Sequence, residues 1–209
     1  MVVVDKPSGW LVHPAGTDAP DLLAWLADQT DLPPDLAPVH RIDRGTSGLA
    51  VFAPPSSAAG WGERFASGSV RKSYYALVFG RTRPKGTIRR PLADARRGAP
   101  LPAVTRYRTI AELPRCSLLH VRPETGRKHQ IRRHLQSIGH ALVGDERYRP
   151  RGRPTVPAFP GRLWLHASAL TATRPDGPDE AGESHWQAEL PPELADHLRA
   201  MGHEPPSPR

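Results

Sequence analysis

The chain has 209 residues, a formal net charge of +8 and a single cysteine. This length suits one sizeable domain, and no apolar run approaches the roughly 18 residues that suggest a membrane-spanning helix. Cys116 has no partner for an internal disulfide. The composition therefore favours a reducing, cytoplasmic compartment and argues against a cysteine-based metal site.

Charge is distributed unevenly along the sequence. Residues 71–153 carry 21 Lys and Arg against 5 Asp and Glu, whereas the remainder carries 8 against 16. Most cations in the middle segment are arginine, which suits bidentate recognition of phosphate and stacking on bases. A genome rich in arginine codons would explain the choice of arginine but not the segregation of sign. A positive face of this kind is the expected footprint of a polyanion partner.

The first half of the chain predicts strands beside two helices. Val2–Val4 is typical of a short buried strand, and Asp21–Thr30 places apolar residues at helical spacing behind an acidic start. A proline-rich stretch then predicts a loop that delivers His40–Asp43. Leu49–Ala53 predicts another strand, and Ser56–Ser67 predicts a surface helix capped by one of its first two serines.

The second half is richer in strands. Ala103–Ile110 alternates so that Arg106 and Arg108 share one side of a half-exposed strand. The helix predicted over His129–Ile138 has an apolar stripe at i, i+4 and i+7 that ends on Ile138. The other elements predicted here are strands at Ser73–Phe79, Ser117–Val121 and Leu163–Leu170, and a closing helix at Pro192–Met201.

Strands outnumber helices, and most connections are too short for a crossover helix. The pattern therefore predicts an α+β fold in which a mostly antiparallel mixed sheet carries a few packed helices. We expect a single domain over residues 1–209, with residues 202–209 as a loose tail.

Four segments carry residue types that are associated with chemistry. A lone aspartate flanked by arginine is usually a surface ion pair, so none of the segments is decisive by itself. In their order and spacing they resemble the RluA-type pseudouridine synthase family, over Val2 to about Leu170. In detail they are most similar to the tRNA pseudouridine-65 synthases within that family. The segments are Lys6–His13, His40–Gly48, Lys72–Val78 and Thr125–Arg132, the last followed by Gly139–Asp145.

The resemblance implies isomerisation of a specific uridine to pseudouridine in structured RNA, with tRNA favoured over ribosomal RNA. It makes Asp43 the catalytic aspartate, Arg132 its ion-pair partner and Tyr74 the tyrosine that stacks on the target base. It also makes Arg41 the residue that fills the space left by the extruded nucleotide. The enzyme is expected to be a cytoplasmic monomer that needs no cofactor or metal.

The residues themselves agree with this chemistry. Breaking a glycosidic bond and re-forming it at carbon calls for a carboxylate that attacks or accepts a proton. A neighbouring guanidinium keeps such a carboxylate ionised, and a uridine inside a stem must be extruded before it can meet it. His129 and His134 are five residues apart, off a common helix face, so they predict no metal site.

Two further groups of residues are predicted around this centre. Four residues are expected to shape the loop, with the glycines leaving room for a ribose: Gly45, Thr46, Ser47 and Gly48. Six cations are candidates for phosphate contacts: Lys6, Arg106, Arg108, Arg127, Lys128 and Arg133.

The sequence also departs from the family's pattern and leaves rival functions to weigh. The family normally has about one more strand before Val2 and often an S4 domain upstream, and we expect no S4 domain in this chain. A non-catalytic RNA-binding or chaperone protein would use the same basic face, and ribosomal RNA stays an alternative substrate. A phosphotransferase is rejected, because the spacing of Arg41 and Asp43 does not match a kinase catalytic loop and no glycine-rich loop accompanies it.

Overall fold

The computed structural model describes residues 1–93, 99–149, 152, 156–173 and 183–207. Within these ranges the chain forms nine strands and four helices. The strands are β1 (Val2–Lys6), β2 (Ala37–Pro38), β3 (Ser47–Ala53), β4 (Val70–Phe79), β5 (Lys85–Ile88), β6 (Thr105–Leu113), β7 (Cys116–Pro123), β8 (Leu165–Thr173) and β9 (Glu183–Gln187). The helices are α1 (Leu22–Ala27), α2 (Pro55–Ser67), α3 (Gln130–Ser137) and α4 (Pro192–Ala200).

All nine strands belong to one sheet. Seven of them follow the order β1-β3-β8-β4-β7-β6-β5, while β2 pairs with β3 and β9 pairs with β8. Every described pairing is antiparallel except that of β3 with β8. The prediction of an α+β fold with a mostly antiparallel mixed sheet is therefore confirmed.

The two faces of the sheet carry separate cores. Successive residues of a strand point to opposite faces, so Tyr74 and Tyr75 of β4 join different clusters. We call the Tyr74 side the front face, where α1 and α3 pack with Leu26 and Leu135. The Tyr75 side is the back face, where α4 packs with Leu198. Tyr75 thus lies in a core on the side away from Tyr74.

Helix ends differ from the prediction, as at α1, which ends at Ala27 instead of Thr30, and at α2 and α3. The residue before α2 is Pro54, no side chain caps the helix, and Pro55 opens it. Proline suits this first turn because its missing N–H would have no partner there. The apolar stripe of α3 stops at Leu135, since the helix ends at Ser137 and Ile138 is 39% exposed.

The chain beyond α4 is not loose over its described part. The Tyr75 hydroxyl donates a 2.8 Å hydrogen bond to the Ser207 carbonyl, and the backbone N–H of His203 donates to the Leu198 carbonyl. Residues 203–207 are thereby held against the back face, while 208 and 209 lie outside the described residues. None of the described helices is long and apolar enough to cross a membrane.

Candidate active site

A cavity of about 370 Å³ opens on the front face. It lies where the loop between β2 and β3 meets the start of α3 and the middle of β4. Three of the four sequence segments contribute to its wall. Its polar and charged lining residues are His40, Arg41, Asp43, Thr46, Lys72, Tyr74, Thr125, Arg127, His129, Gln130 and Arg132.

The Asp43 carboxylate and the Arg132 guanidinium meet in this cavity. Their closest atoms, Oδ2 and Nη1, are 3.3 Å apart. The Asp43 side chain keeps 24% of its surface exposed, whereas that of Arg132 keeps 12%. The carboxylate is therefore held on one side by a buried cation and stays accessible on the other.

Arg132 is fixed from behind by a second carboxylate, Asp145. Its Nε and Nη2 donate to the two Asp145 oxygens at 2.7 and 2.8 Å, a bidentate arrangement. Backbone N–H groups of Arg147 and Tyr148 donate to the same carboxylate. Burial alone would raise the pKa of Asp145, but the Arg132 guanidinium and these N–H groups outweigh it and lower the pKa.

Whereas the pKa of Asp145 is lowered, that of Arg132 is raised. Burial would lower it, but hydrogen bonds and charges from Asp145 and Asp43 outweigh burial and raise it. The guanidinium is thus permanently charged. Because Asp145 occupies two of its donor groups, the Nη1 group is directed at Asp43.

His129 lies on the other side of Asp43. Its Nε2 is 3.8 Å from Asp43 Oδ1, and its Nδ1 is 2.9 Å from the Tyr148 hydroxyl. Burial lowers the pKa of His129, with Arg132 acting in the same direction and Asp43 opposing it. Around neutral pH the imidazole is therefore uncharged, and Arg132 is the cation that pairs with Asp43.

Tyr74 and Lys72 extend from β4 into the same cavity. Burial, together with the nearby charge of Asp43, raises the pKa of Tyr74. The phenol therefore keeps its proton at neutral pH. Burial also lowers the pKa of Lys72, whose side chain lines the cavity wall.

The loop that carries Asp43 is anchored at both ends. His40 stacks on Phe65, and its Nε2 accepts a 3.1 Å hydrogen bond from the Val51 backbone N–H. Burial lowers the pKa of His40 to about 3, so the imidazole stays neutral and can accept this bond. At the other end the Thr46 backbone N–H donates to the Asp43 carbonyl at 3.0 Å.

Gln130 fixes the turn that leads into α3. Its side-chain oxygen accepts hydrogen bonds from the Thr125 hydroxyl and the Arg127 N–H, at 2.6 and 3.0 Å. Its amide group donates to the Val104 carbonyl and the Thr105 hydroxyl. The turn that carries Arg127 is thus tied to β6.

Comparisons with known proteins decide the family. The sequence profile of the family described as RNA pseudouridylate synthase matches residues 1–137. The chain belongs to this family.

Several bacterial relatives within the family share about a third of their residues with the chain. The tRNA pseudouridine synthase C of Haemophilus ducreyi is 36% identical over 84% of this chain and 82% of its own length. The protein of that name from Pectobacterium carotovorum is 35% identical over 90% of this chain, which spans only 57% of the relative. The ribosomal large subunit pseudouridine synthase D of Nitrosomonas europaea is 35% identical over 99% of this chain and 64% of its own length.

Solved structures of pseudouridine synthases share the fold. Human RNA Pseudouridylate Synthase Domain Containing 4 superposes with a TM-score of 0.79 at 22% identity, over 98% of this chain and 91% of its own. Human RNA Pseudouridylate Synthase Domain Containing 1 superposes with a TM-score of 0.70 at 23% identity, over 98% of this chain and 92% of its own. The predicted pseudouridine synthase fold is confirmed.

The predicted site residues of the chain divide into those that reach the cavity and those that do not. Asp43, Tyr74, Arg132, Arg41 and Arg127 all line it. The remaining predictions were made for phosphate contacts and for loop shape, and the structure revises several of them.

Lys6 was predicted to contact phosphate, and this prediction is wrong. Its side chain has no exposed surface, and Nζ donates to the carbonyls of Pro7, Trp10 and Arg44 at 2.7–3.1 Å. Burial and the charge of Arg162 lower the pKa of Lys6 to about 7, against the opposing effect of Asp43 and Asp5. Lys6 instead ties the first turn to the loop that carries Asp43.

The glycines of the loop were predicted to shape it and to leave room for a ribose, and the structure shows which protein atoms lie beside them. A Cβ on Gly48 would lie 2.2 Å from the Ala167 carbonyl oxygen, and one on Gly45 would lie 3.3 Å from Leu163 Cβ. Both glycines therefore make room for protein atoms around β8. Ser47 is buried as well, with its hydroxyl hydrogen-bonded to His166 Nδ1 at 2.9 Å, so it orients the loop.

Among the other cations, Lys128 is exposed just before α3 and contributes to the charge around His129. Arg133 is half-buried, and its Nη1 donates to the Ala93 carbonyl. Arg106 and Arg108 share a side as predicted, but that side is the back face, because Tyr107 between them packs into the front core.

Sequence reasoning missed the roles of Asp145, His129 and Gln130. All three stand inside the fourth segment or directly after it, in Thr125–Asp145. The spacing gave no reason to orient their side chains, because the contacts come from a turn and a loop rather than from a periodic element. The signal that the sequence offered for Asp145 was an acidic residue one loop after the helix that carries Arg132.

Proposed function

We propose that this protein converts a uridine of folded RNA to pseudouridine and that its substrate is tRNA. The observation that carries the proposal is the Asp43 carboxylate, accessible in a cavity of about 370 Å³ and paired with a guanidinium that Asp145 holds in place. The volume lies in the range of small-molecule sites. It suits a single extruded nucleotide better than a duplex.

The reaction conserves atoms and electrons. The bond between uracil N1 and ribose C1′ breaks, the base turns, and a bond forms between C5 and C1′. C5 loses its hydrogen as a proton and N1 gains one, so neither an oxidant nor a second substrate is needed. Asp43 supplies the carboxylate that promotes the cleavage. Arg132 keeps that carboxylate charged and oriented.

The remaining cavity residues are proposed to hold the nucleotide. Tyr74 offers an aromatic ring beside Asp43 for stacking on uracil. Arg41 is exposed at the mouth, with its Nη1 3.2 Å from His13 Nε2, where it could occupy the position left by the flipped base. Arg127 and Lys128 would contact phosphates there. We also propose that the protein acts as a monomer.

The choice of tRNA rests on the relatives. Proteins named tRNA pseudouridine synthase C are 33–36% identical to the chain. Ribosomal RNA is the second candidate, because the relative named ribosomal large subunit pseudouridine synthase D aligns with 99% of the chain at 35% identity.

Tritium release tests the proposal and separates the two substrates. Transcripts of tRNA and of ribosomal RNA fragments are labelled with tritium at uracil C5, and the purified protein is added. Because the new bond displaces the hydrogen at C5, each turnover releases one tritium to water. We expect release from tRNA. RNA binding without release from either transcript would favour the non-catalytic alternative.

A further inference from the structure

The back face of the sheet carries a group of cations that the proposed reaction does not use. Lys85 of β5 lies opposite Arg108 of β6, and Arg106 of β6 lies opposite Arg122 of β7. All four side chains are exposed. We call these four residues the cationic ladder.

The ladder places like charges next to each other. Directly opposite residues on paired strands are about 5 Å apart, and residues two apart on one strand are roughly 7 Å apart. Like charges at such positions destabilise a sheet. Glu124 pairs with Arg106, but no carboxylate in the described ranges forms an ion pair with Lys85, Arg108 or Arg122. A bound anion would offset this repulsion.

The ladder also lines a groove rather than a flat surface. The groove has a volume of about 1030 Å³, and none of its lining residues is acidic. Tyr75, His120 and the chain after α4, at His203 and Pro206, form the opposite border. Helix α4 covers the adjoining part of the back face, where Ile110, Ala111 and Leu113 of β6 also pack. The groove therefore lies over β5, the first part of β6 and the end of β7.

We infer that the cationic ladder binds backbone phosphates of the substrate RNA, at a segment other than the one that enters the cavity. This inference rests on the proposed function. The ladder and Tyr74 lie on opposite faces of the sheet, so the two contacts require an RNA that passes around the β5 edge. A folded RNA with more than one arm meets that requirement, and a short stem-loop does not.

A groove that arginines line and to which no acidic residue contributes favours RNA over a protein partner, although Glu124 pairs with Arg106 beside it. Guanidinium groups match phosphate oxygens in a bidentate manner. The ladder has three of them in two adjacent strands. An acidic protein is the other occupant that the charge would allow, and the experiment is designed to distinguish it.

The test compares two double variants that remove the same charge. Arg108→Gln/Arg122→Gln removes half of the ladder. Arg71→Gln/Arg199→Gln removes two exposed arginines elsewhere, which pair with Glu183 and Asp196. Affinity for full-length tRNA is measured across a series of salt concentrations, and turnover is measured on tRNA and on a stem-loop that carries the target uridine.

For the ladder variant we expect the Kd for tRNA to rise roughly tenfold, the size expected of two exposed charge contacts. The slope of log K against log salt should fall by about two. Turnover at saturation and all values on the stem-loop should stay as in the wild type. The control variant should match the wild type throughout, and the ladder variant should keep its Tm because it relieves repulsion.

A ladder variant that binds tRNA as the control does, with the same salt slope, would overturn the inference and leave the groove to an acidic protein. Failure of the proposed function gives a different result. In that case the wild type releases no tritium from either RNA, while the ladder variant still loses tRNA affinity, and the ladder stands as an RNA-binding surface.

Discussion

Arg132 has two carboxylate partners, and only one of them is accessible from the cavity. Asp145 is completely enclosed, while the Asp43 side chain keeps 24% of its surface exposed. The two carboxylates therefore have different roles. Asp145 fixes the guanidinium, and the guanidinium in turn positions the carboxylate that can meet a substrate.

Replacement of Asp145 tests this chain of contacts. We expect Asp145→Asn to lower the free energy of unfolding by about 3–5 kcal/mol, because it leaves a buried guanidinium without its main counter-charge. Turnover should fall as well, since Arg132 is then free to leave Asp43. Chemical denaturation and tritium release, at a temperature where the variant is folded, measure the two effects.

Asp196→Asn is the matched control for Asp145→Asn. It breaks an exposed pair with Arg199 on α4, and exposed pairs contribute little. Wild-type turnover in folded Asp145→Asn would remove Asp145 from any role in positioning Arg132.

Tyr74 allows a second prediction at this scale. Because burial and Asp43 raise its pKa, the phenol is protonated at neutral pH and is a poor base. We expect Tyr74→Phe to keep turnover within about tenfold of the wild type, whereas Tyr74→Leu should lose far more for lack of an aromatic ring. A loss near 10² in the Phe variant, typical of general acid–base catalysis, would instead assign proton transfer to the hydroxyl.

Among the elements, β3 and β8 set the position of the active-site loop. They form the one parallel pairing among the described strands, in which Ser47 lies opposite His166 and Gly48 lies opposite Ala167. The loop that carries Asp43 leads directly into this pairing. The close approach at Gly48 is what lets β3 enter the sheet at that point.

Gly48→Ala should therefore destabilise the whole protein. Gly48 has φ of +105°, and an added Cβ would lie 2.2 Å from the Ala167 oxygen. Both the strained backbone and the clash act against folding. We expect a loss of several kcal/mol, measured by urea denaturation, or no soluble protein.

The control for Gly48→Ala is Gly60→Ala within α2. Nothing lies within 4 Å of the Cβ that this substitution adds. An alanine in a helix interior should stabilise the protein by about 0.5–1 kcal/mol. Equal stability of the two variants would contradict the role given to Gly48.

Periodicity accounts for what could be predicted of the elements. The alternation of β6 gave the common side of Arg106 and Arg108, and the buried stripe of α3 gave Ile131 and Leu135. The side of the sheet could not be predicted, because alternation fixes which residues share a face but not where the site lies. The start of α2 and the end of α3 were missed, since Pro54 and Ile138 act through local backbone geometry.

For the whole molecule, buried histidines make stability depend on pH. Burial lowers the pKa of His40 to about 3 and that of His166 to about 4, so both are neutral in the fold. In the unfolded chain they protonate near the ordinary value of about 6.5. The unfolded state then binds more protons, so stability is lost as the pH falls below about 6.5.

Denaturation at several pH values between 6.5 and 5 checks this dependence. We expect the free energy of unfolding to fall by roughly 1.4 kcal/mol per pH unit for each buried histidine once it is protonated in the unfolded chain. His166→Gln should reduce this dependence by about 1.4 kcal/mol per pH unit. A slope that His166→Gln leaves unaltered would contradict a buried, neutral imidazole.

At this scale the sequence predicted the fold class and the family, because four segments kept their order and spacing. It did not predict that Lys6 is enclosed or that residues 203–207 pack on the back face. Both depend on contacts between distant parts of the chain, which neither charge nor spacing along the sequence can show.

Asp43 is proposed to perform the chemistry while other residues hold the RNA. Single-turnover tritium release by wild type and Asp43→Asn on the same tRNA tests this role, with affinity measured on the same preparations. We expect the variant to bind tRNA as the wild type does and to release no tritium. Release by Asp43→Asn at a rate near that of the wild type would show that another group performs the chemistry.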